Sequence, residues 1–304
     1  MTIKVEVLDN RRNQLGEGPT SSGENNNHIQ WCDIYGRKVR WQNLITAQTG
    51  EFATNEDVGF QIPRVHGGEV LGTANGPVLR DHDGTLHKLP TRNEADGKPD
   101  ATLLRWNDAK IASNGDLFLG TMAYQNQKDE GSFYRLTKDG KKLEKLFDKV
   151  AISNGMDWTK DNSRMFYIDT LTMKVEVFDY KPFQSKVIEN RRTFISIGEN
   201  MGYPDGMCTD SQDNLWVAFW MGSCVRGYDG KTGKQIAEIK LPNPKVTSCC
   251  FGGENLDKLI KIMELNVLLS TVENMLTTSH TCWDIQNILN VLNNVKNFFA
   301  IFHL

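Results

Sequence analysis

Short runs of alternating apolar and polar residues, four to seven long and bounded by turn signals, fill the chain up to Gly253. Such runs predict strands rather than helices. Asn114-Gly115-Asp116-Leu117-Phe118-Leu119, Asn162-Ser163-Arg164-Met165-Phe166-Tyr167 and Asp213-Asn214-Leu215-Trp216-Val217 each open on a turn and continue as a β-type run. About ten residues upstream of each lies a segment with a polar side chain at one phase. These segments are Arg105-Trp106-Asn107-Asp108-Ala109, Ser153-Asn154-Gly155-Met156 and Pro204-Asp205-Gly206-Met207. Asn107 to Asn154 is 47 residues and Asn154 to Asp205 is 51. A period in that range belongs to propeller blades. Backward extension gives units starting near Glu17-Gly18-Pro19 and near Val65-His66-Gly67-Gly68, the latter containing Asn75-Gly76-Pro77. Forward extension gives one near Lys245-Val246-Thr247-Ser248. Six units result, and the expected fold is all-β, a six-bladed β-propeller.

The pattern changes after Gly253. The remaining 51 residues contain neither Gly nor Pro, although the chain has 26 Gly and 9 Pro. Apolar residues at Leu256, Leu259, Ile260, Met263 and Val267, then at Ile285, Ile288, Leu289, Leu292 and Val295, have helical spacing. Two domains follow as an expectation: a propeller over residues 1–259 and a divergent tail over 260–304. The last blade would then be incomplete, or a helical or irregular tail would cover its open edge. A strand from Lys261 to Ser270 is the other reading of this stretch.

The bulk properties narrow the function. A length of 304 residues and a net charge of −3 fit one large all-β domain and give no electrostatic footprint for nucleic acid. The N-terminal segment Met1–Val7 lacks the apolar core of a signal peptide, and no apolar run is long enough to span a membrane. The six cysteines, Cys32, Cys208, Cys224, Cys249, Cys250 and Cys282, form no CxxC pair. They read as small buried hydrophobes in a reducing compartment. A cytoplasmic monomer acting on a small molecule is the expectation.

In a propeller the innermost strand of every blade lines the axis, so one phase of the repeat converges there. Glu17, Asn154 and Asp205 would offer two carboxylates and an amide oxygen, a hard set suited to Ca²⁺, Mg²⁺ or Mn²⁺. Taken singly, Asn154-Gly155 and Pro204-Asp205-Gly206 also read as ordinary turns. Strand alternation puts Arg105 and Asn107 on one face, with donors and acceptors for a polyhydroxylated or carbonyl-bearing ligand. Arg105 paired with a buried carboxylate such as Asp108 is the alternative. None of the six histidines falls in the repeated phase, and no nucleophile elbow occurs.

The order of these motifs resembles a known family. Leu15-Gly16-Glu17-Gly18-Pro19, Gly59-Phe60 through Gly68, Arg105-Trp106-Asn107-Asp108 with Gly120-Thr121-Met122, Ser153 to Trp158, Tyr167-Ile168-Asp169, Tyr203 to Gly206, Asn214 to Ala218, and Val246-Thr247-Ser248 with Phe251-Gly252-Gly253 carry the resemblance. The chain is similar to the SMP-30/regucalcin, gluconolactonase and luciferin-regenerating enzyme family, in its animal branch, from about residue 5 to about 259. The resemblance implies one divalent metal, Ca²⁺ first and Zn²⁺, Mn²⁺ or Mg²⁺ as alternatives, on Glu17, Asn154 and Asp205. It implies substrate contact by Arg105 and Asn107, and hydrolysis of a sugar lactone or related cyclic ester with Asp205 as the catalytic base. A calcium-binding regulatory protein without turnover and a luciferin-regenerating-like enzyme are the other functions it allows. After Gly-Thr-Met some lactonases place an acidic residue that contacts substrate. Tyr124 or Gln125 stands there in this chain.

Overall fold

The computed structural model describes residues 5–64, 67–96, 103–125 and 128–271. Its strands form six antiparallel sheets of four, the blades of a six-bladed propeller. Blade 1 runs outward through Gly16–Ser22, His28–Asp33, Lys38–Asn43 and Thr49–Ala53. Blade 2 comprises Val58–Pro63, Glu69–Thr73, Gly76–Arg80 and Leu86–Lys88. Blade 3 comprises Leu104–Ile111, Leu117–Ala123, Gly131–Leu136 and Leu143–Val150. Blade 4 comprises Ser153–Trp158, Arg164–Asp169, Lys174–Tyr180 and Ile188–Ser196. Blade 5 comprises Tyr203–Thr209, Leu215–Trp220, Cys224–Tyr228 and Gln235–Lys240. Blade 6 comprises Val246–Gly252, Lys258–Met263, Val267–Thr271 and, outermost, the N-terminal strand Val5–Asp9.

The ring closes through that last sheet. Val5 pairs with Ser270 and Val7 with Leu268, so the chain's first strand and Val267–Thr271 share an edge. Closure removes a free sheet edge that would otherwise invite pairing with another molecule. Each inner strand lies against the inner strands of both neighbouring blades. The apolar core is divided in the same way into six clusters, one at each blade interface. Trp31, Trp106, Trp158 and Trp216 are all fully or almost fully buried in these interfaces.

Two expectations need correction. The second unit starts at Val58–Pro63, not near Val65, and Glu69 already opens its second strand. The residue at the repeated phase there is Gly59, which has no side chain to reveal it. The helical spacing from Leu256 to Val267 is strand: Lys258–Met263 pairs with Val246–Gly252 on one side and with Val267–Thr271 on the other. Leu259 through Met263 are all buried, because this sheet is covered on both faces. A doubly covered strand reads as an unbroken apolar run, in which strand and helix periods cannot be separated. The sheet therefore crosses the 259/260 boundary, and the sixth blade has four strands. The helical spacing from Ile285 to Val295 lies outside the described residues.

The inner strands all leave from one end of the axis, and each second strand returns to it. The starts of the inner strands and the turns between second and third strands therefore share one face, here called the upper face.

Candidate metal centre and active site

Every inner strand slips register against its neighbour near its upper end. The slips fall between Glu17 and Thr20, Val58 and Gln61, Trp106 and Ala109, Ser153 and Met156, Pro204 and Met207, and Val246 and Ser248. A bulge unpairs the backbone and re-aims a side chain. Asn107, Asn154 and Asp205 all sit in these bulges, and Glu17 is the last paired residue before its own. The repeated phase read from the sequence is thus a repeated backbone distortion. The glycines that follow are sites of close approach, not hairpin turns. A Cβ on Gly155 would lie 2.5 Å from the Met207 amide nitrogen, and one on Gly206 would lie 2.1 Å from Ser248 Oγ.

The predicted residues do come together. Glu17, Arg105, Asn107, Asn154 and Asp205 are between 4 and 9% exposed. Arg105 Nη1 donates to Asn107 Oδ1 at 2.5 Å and to the Trp106 carbonyl at 3.2 Å. Asn107 Nδ2 donates across the blade boundary to the Ser153 carbonyl at 2.6 Å and to Asn154 Oδ1 at 3.3 Å. Asn154 Nδ2 donates to Thr170 Oγ1 at 2.8 Å, and Thr170 donates to the Pro204 carbonyl at 2.9 Å. This chain fixes the Asn154 amide so that its oxygen, not its nitrogen, faces Asn107. Trp106 points the other way, into the core between blades 2 and 3. The pairing of Arg105 with Asp108 is not found: among the described residues Arg105 has no ion pair, and Asp108 accepts the Ala109 amide instead.

Electrostatics tests whether a cation fits. Burial, with the Asp108 carboxylate second, pushes Glu17 up to about 8, against partial relief from the Gly18 amide and Arg105. Burial pushes Asp205 well above the usual carboxylate range, and Glu17 and Asp108 add to it. Burial also raises Asp108, to about 6. Three carboxylates thus repel one another in a buried site, with Arg105 beside Glu17 and Asp205, Lys110 beside Asp108, and the Asn154 side chain hydrogen-bonded to Asp205 as partial relief. Asp205 Oδ1 is buried without any hydrogen-bond partner. An orphaned carboxylate oxygen beside a second buried carboxylate is costly unless a cation lies between them. Two carboxylates and the Asn154 oxygen fit a hard divalent ion, with water completing the shell. Among the described residues no group of three His, Cys, Asp or Glu side chains could hold a metal. The candidate centre therefore depends on the Asn154 amide as its third donor.

Several participants lie outside the repeated phase and were not read as site residues. Thr170, which anchors Asn154, opens a 3₁₀ turn after a second strand. Asp108 stood next to Asn107 in the sequence, but only the bulge shows that it faces Glu17. Tyr124 stands near Arg105, and its hydroxyl donates to Asp57 Oδ2 at 3.0 Å. Below the site, along the same strands, lies a cavity of about 110 Å³ lined by Gln61, Asp108, Met156 and Met207 among others.

Fold and site together define a class: a six-bladed propeller with a buried, oxygen-rich cluster at the upper end of its axis. The chain matches the family model described as SMP-30/Gluconolactonase/LRE-like region over residues 15–260, and it belongs to that family. It is 37% identical to a Danio rerio protein named regucalcin over 261 residues, 85% of each chain. Among solved structures it is similar to a luciferin-regenerating enzyme, with a TM-score of 0.83 and 24% identity over 91% of this chain and 98% of the other. It is also similar to a calcium-binding protein, regucalcin, from Agrobacterium tumefaciens, with a TM-score of 0.80 and 23% identity over 88% and 93%. At those identities the two structures speak for the fold alone.

Proposed function

We propose that this protein is a divalent-metal-dependent hydrolase of sugar lactones or related cyclic esters. The observation that carries the proposal is the orphaned Asp205 Oδ1 beside buried Glu17, with Arg105 close enough to act on both carboxylates. Glu17, Asn154 and Asp205 would hold the cation, Ca²⁺ first. Once bound, a divalent cation there would favour the ionised form of both carboxylates and polarise the carbonyl oxygen of an ester. Arg105 presents an unpartnered Nε and a fork of donors with which to orient that ester. Asn107, held by Ser153 and Asn154, fixes the ring beside it. Asp205 takes a proton from the attacking water as its oxygen bonds to the carbonyl carbon. The ring C–O bond breaks, and the proton returns to the leaving alkoxide, so one water is added overall. Five of the cysteines are free and buried, which suits a cytoplasmic setting.

The regucalcin relatives favour a second reading, a calcium-binding protein without turnover. Both readings use the same ligands. Lactone hydrolysis by purified protein in Ca²⁺, Mg²⁺, Mn²⁺ or Zn²⁺ separates them. Metal-dependent turnover that falls roughly 10²–10⁴-fold in Asp205→Ala supports the hydrolase. Stoichiometric Ca²⁺ binding with no turnover on any lactone supports the second reading.

A further inference from the structure

Two thiols and a lysine meet in the core between blades 5 and 6, outside the metal centre. Cys208 and Cys249 lie on the inner strands of those blades, and their sulfurs are 3.8 Å apart. Both are free and buried. Cys249 Sγ donates to the Trp216 carbonyl at 3.3 Å, which leaves Cys208 as the donor in the thiol–thiol contact. Cys250, next in the chain, belongs to the cluster between blades 6 and 1, on the other face of the same sheet. Cys208, not its sequence neighbour, is therefore the thiol that Cys249 faces.

Lys261 is the cross-strand partner of Cys249 in the sixth sheet, so the two side chains stand side by side on one face. A fully buried lysine inside an apolar strand is costly, and the fold needs no charge there. Desolvation lowers Lys261 to about 7, with Cys249 acting against that shift. Much of it is thus neutral amine at neutral pH, a base placed beside a thiol. Burial pushes the Cys208 thiol well above its ordinary range, and Cys249 adds to this. The two sulfurs are therefore unequal: Cys249 has a base beside it, and Cys208 is held protonated. Cys249 also borders the cavity below the metal centre. That cavity, of about 110 Å³, exceeds the space that one water or one peroxide molecule needs. Its lining reaches half-buried Ser22, Pro63 and Ser113, at or just past the lower ends of inner strands.

We propose that Cys208 and Cys249 are a site of reversible oxidation, in which hydrogen peroxide converts them to a disulfide joining blade 5 to blade 6, with Lys261 as the base. Lys261 takes the Cys249 proton, and the sulfur attacks peroxide. An S–O bond forms, the O–O bond breaks, and the leaving hydroxide recovers the proton as water. Cys208 then attacks the sulfenic sulfur of Cys249. The S–S bond forms, the S–O bond breaks, and hydroxide leaves with the Cys208 proton as a second water. Two thiols lose two electrons, and one peroxide becomes two waters. None of this depends on the lactonase reading.

The test is peroxide treatment of the folded full-length protein, followed by alkylation, digestion and mass spectrometry. A peptide pair linked through Cys208 and Cys249, lighter by two hydrogens and released by dithiothreitol, is the expected product. The linked protein should melt roughly 5 °C higher. Cys208→Ala should instead accumulate a sulfenic acid at Cys249 that dimedone traps. Lys261→Met keeps both thiols and should fold stably, yet link at least tenfold more slowly. No link in protein whose circular dichroism stays native, a link to another cysteine, or a link that forms only in urea would overturn the inference. Linking of Lys261→Met at the parent rate would overturn the role of the lysine.

Discussion

At the scale of residues, buried ionisable side chains make stability depend on pH, Glu17 and Lys261 in opposite directions. Glu17 is raised from 4.5 to about 8 without a cation. Its folded pKa lies above the unfolded value, so the folded state holds the extra proton between those limits. That contribution is complete below pH 4.5 and is lost as pH rises through about 8. Metal-free protein should therefore lose ~4 kcal/mol between pH 5 and 8.5 from this group. Millimolar Ca²⁺ should raise the melting temperature more at pH 8.5 than at pH 5. Melting curves at the two pH values, with and without chelator, check this, and Glu17→Gln should flatten the slope. Lys261 is the second case. It is fully buried between blades 5 and 6, donates to Ser270 Oγ, and is lowered by desolvation from 10.5 to about 7. The unfolded chain binds the extra proton between pH 7 and 10.5, so stability rises with pH there and the full cost applies below 7. Lys261→Met should stabilise the protein at pH 7 by about 2–4 kcal/mol, measured by urea unfolding, with a smaller gain near pH 10. Of the candidate site residues, Asn107, Asn154 and Asp205 could be read from the sequence because each has a polar side chain at one phase, with Glu17 one position earlier and Arg105 on the same strand face as Asn107. Asp108 and Thr170 could not, since their roles depend on which way a bulged backbone turns them. Lys261 was hidden because a charged side chain in an apolar run reads as a break in the strand.

At the scale of elements, the bulged inner strand is the unit that builds the site. Its glycines allow neighbouring inner strands to touch. A Cβ on Gly59 would stand 2.0 Å from the Trp106 carbonyl oxygen, a backbone atom next to Asn107 that cannot swing aside. Gly59→Ala is expected to cost about 2–4 kcal/mol and to displace Asn107. Chemical denaturation should show the loss, and ligand affinity should fall further than stability alone explains. A variant that melts and binds like the parent would show that the contact is not tight. The same glycine explains why the second blade was misplaced by sequence reading. A repeat recognised by polar side chains cannot be located at a position that has none.

At the scale of the molecule, the ring is closed by the chain's first strand against Val267–Thr271. The six-blade count was legible because turn strings and apolar runs recur at a blade-sized interval over most of the chain. The closing strands were not, because the sixth sheet is buried on both faces and its second strand loses the alternation that marks a half-buried strand. A fragment ending at residue 259 would lose most of Lys258–Met263 and all of Val267–Thr271, leaving Val5–Asp9 without its partner. It should fail to melt cooperatively and should aggregate, as an open edge does. A sharp transition like that of the whole chain, seen by calorimetry, would mean that closure adds little.

The cation at Glu17, Asn154 and Asp205 is tested most directly by calorimetric titration of Ca²⁺ into chelator-treated protein, beside Asp205→Ala. One equivalent bound per chain, lost in the variant while its circular dichroism is unchanged, is the expected result. No binding by the parent protein, or equal binding by Asp205→Ala, would contradict a metal centre at these residues.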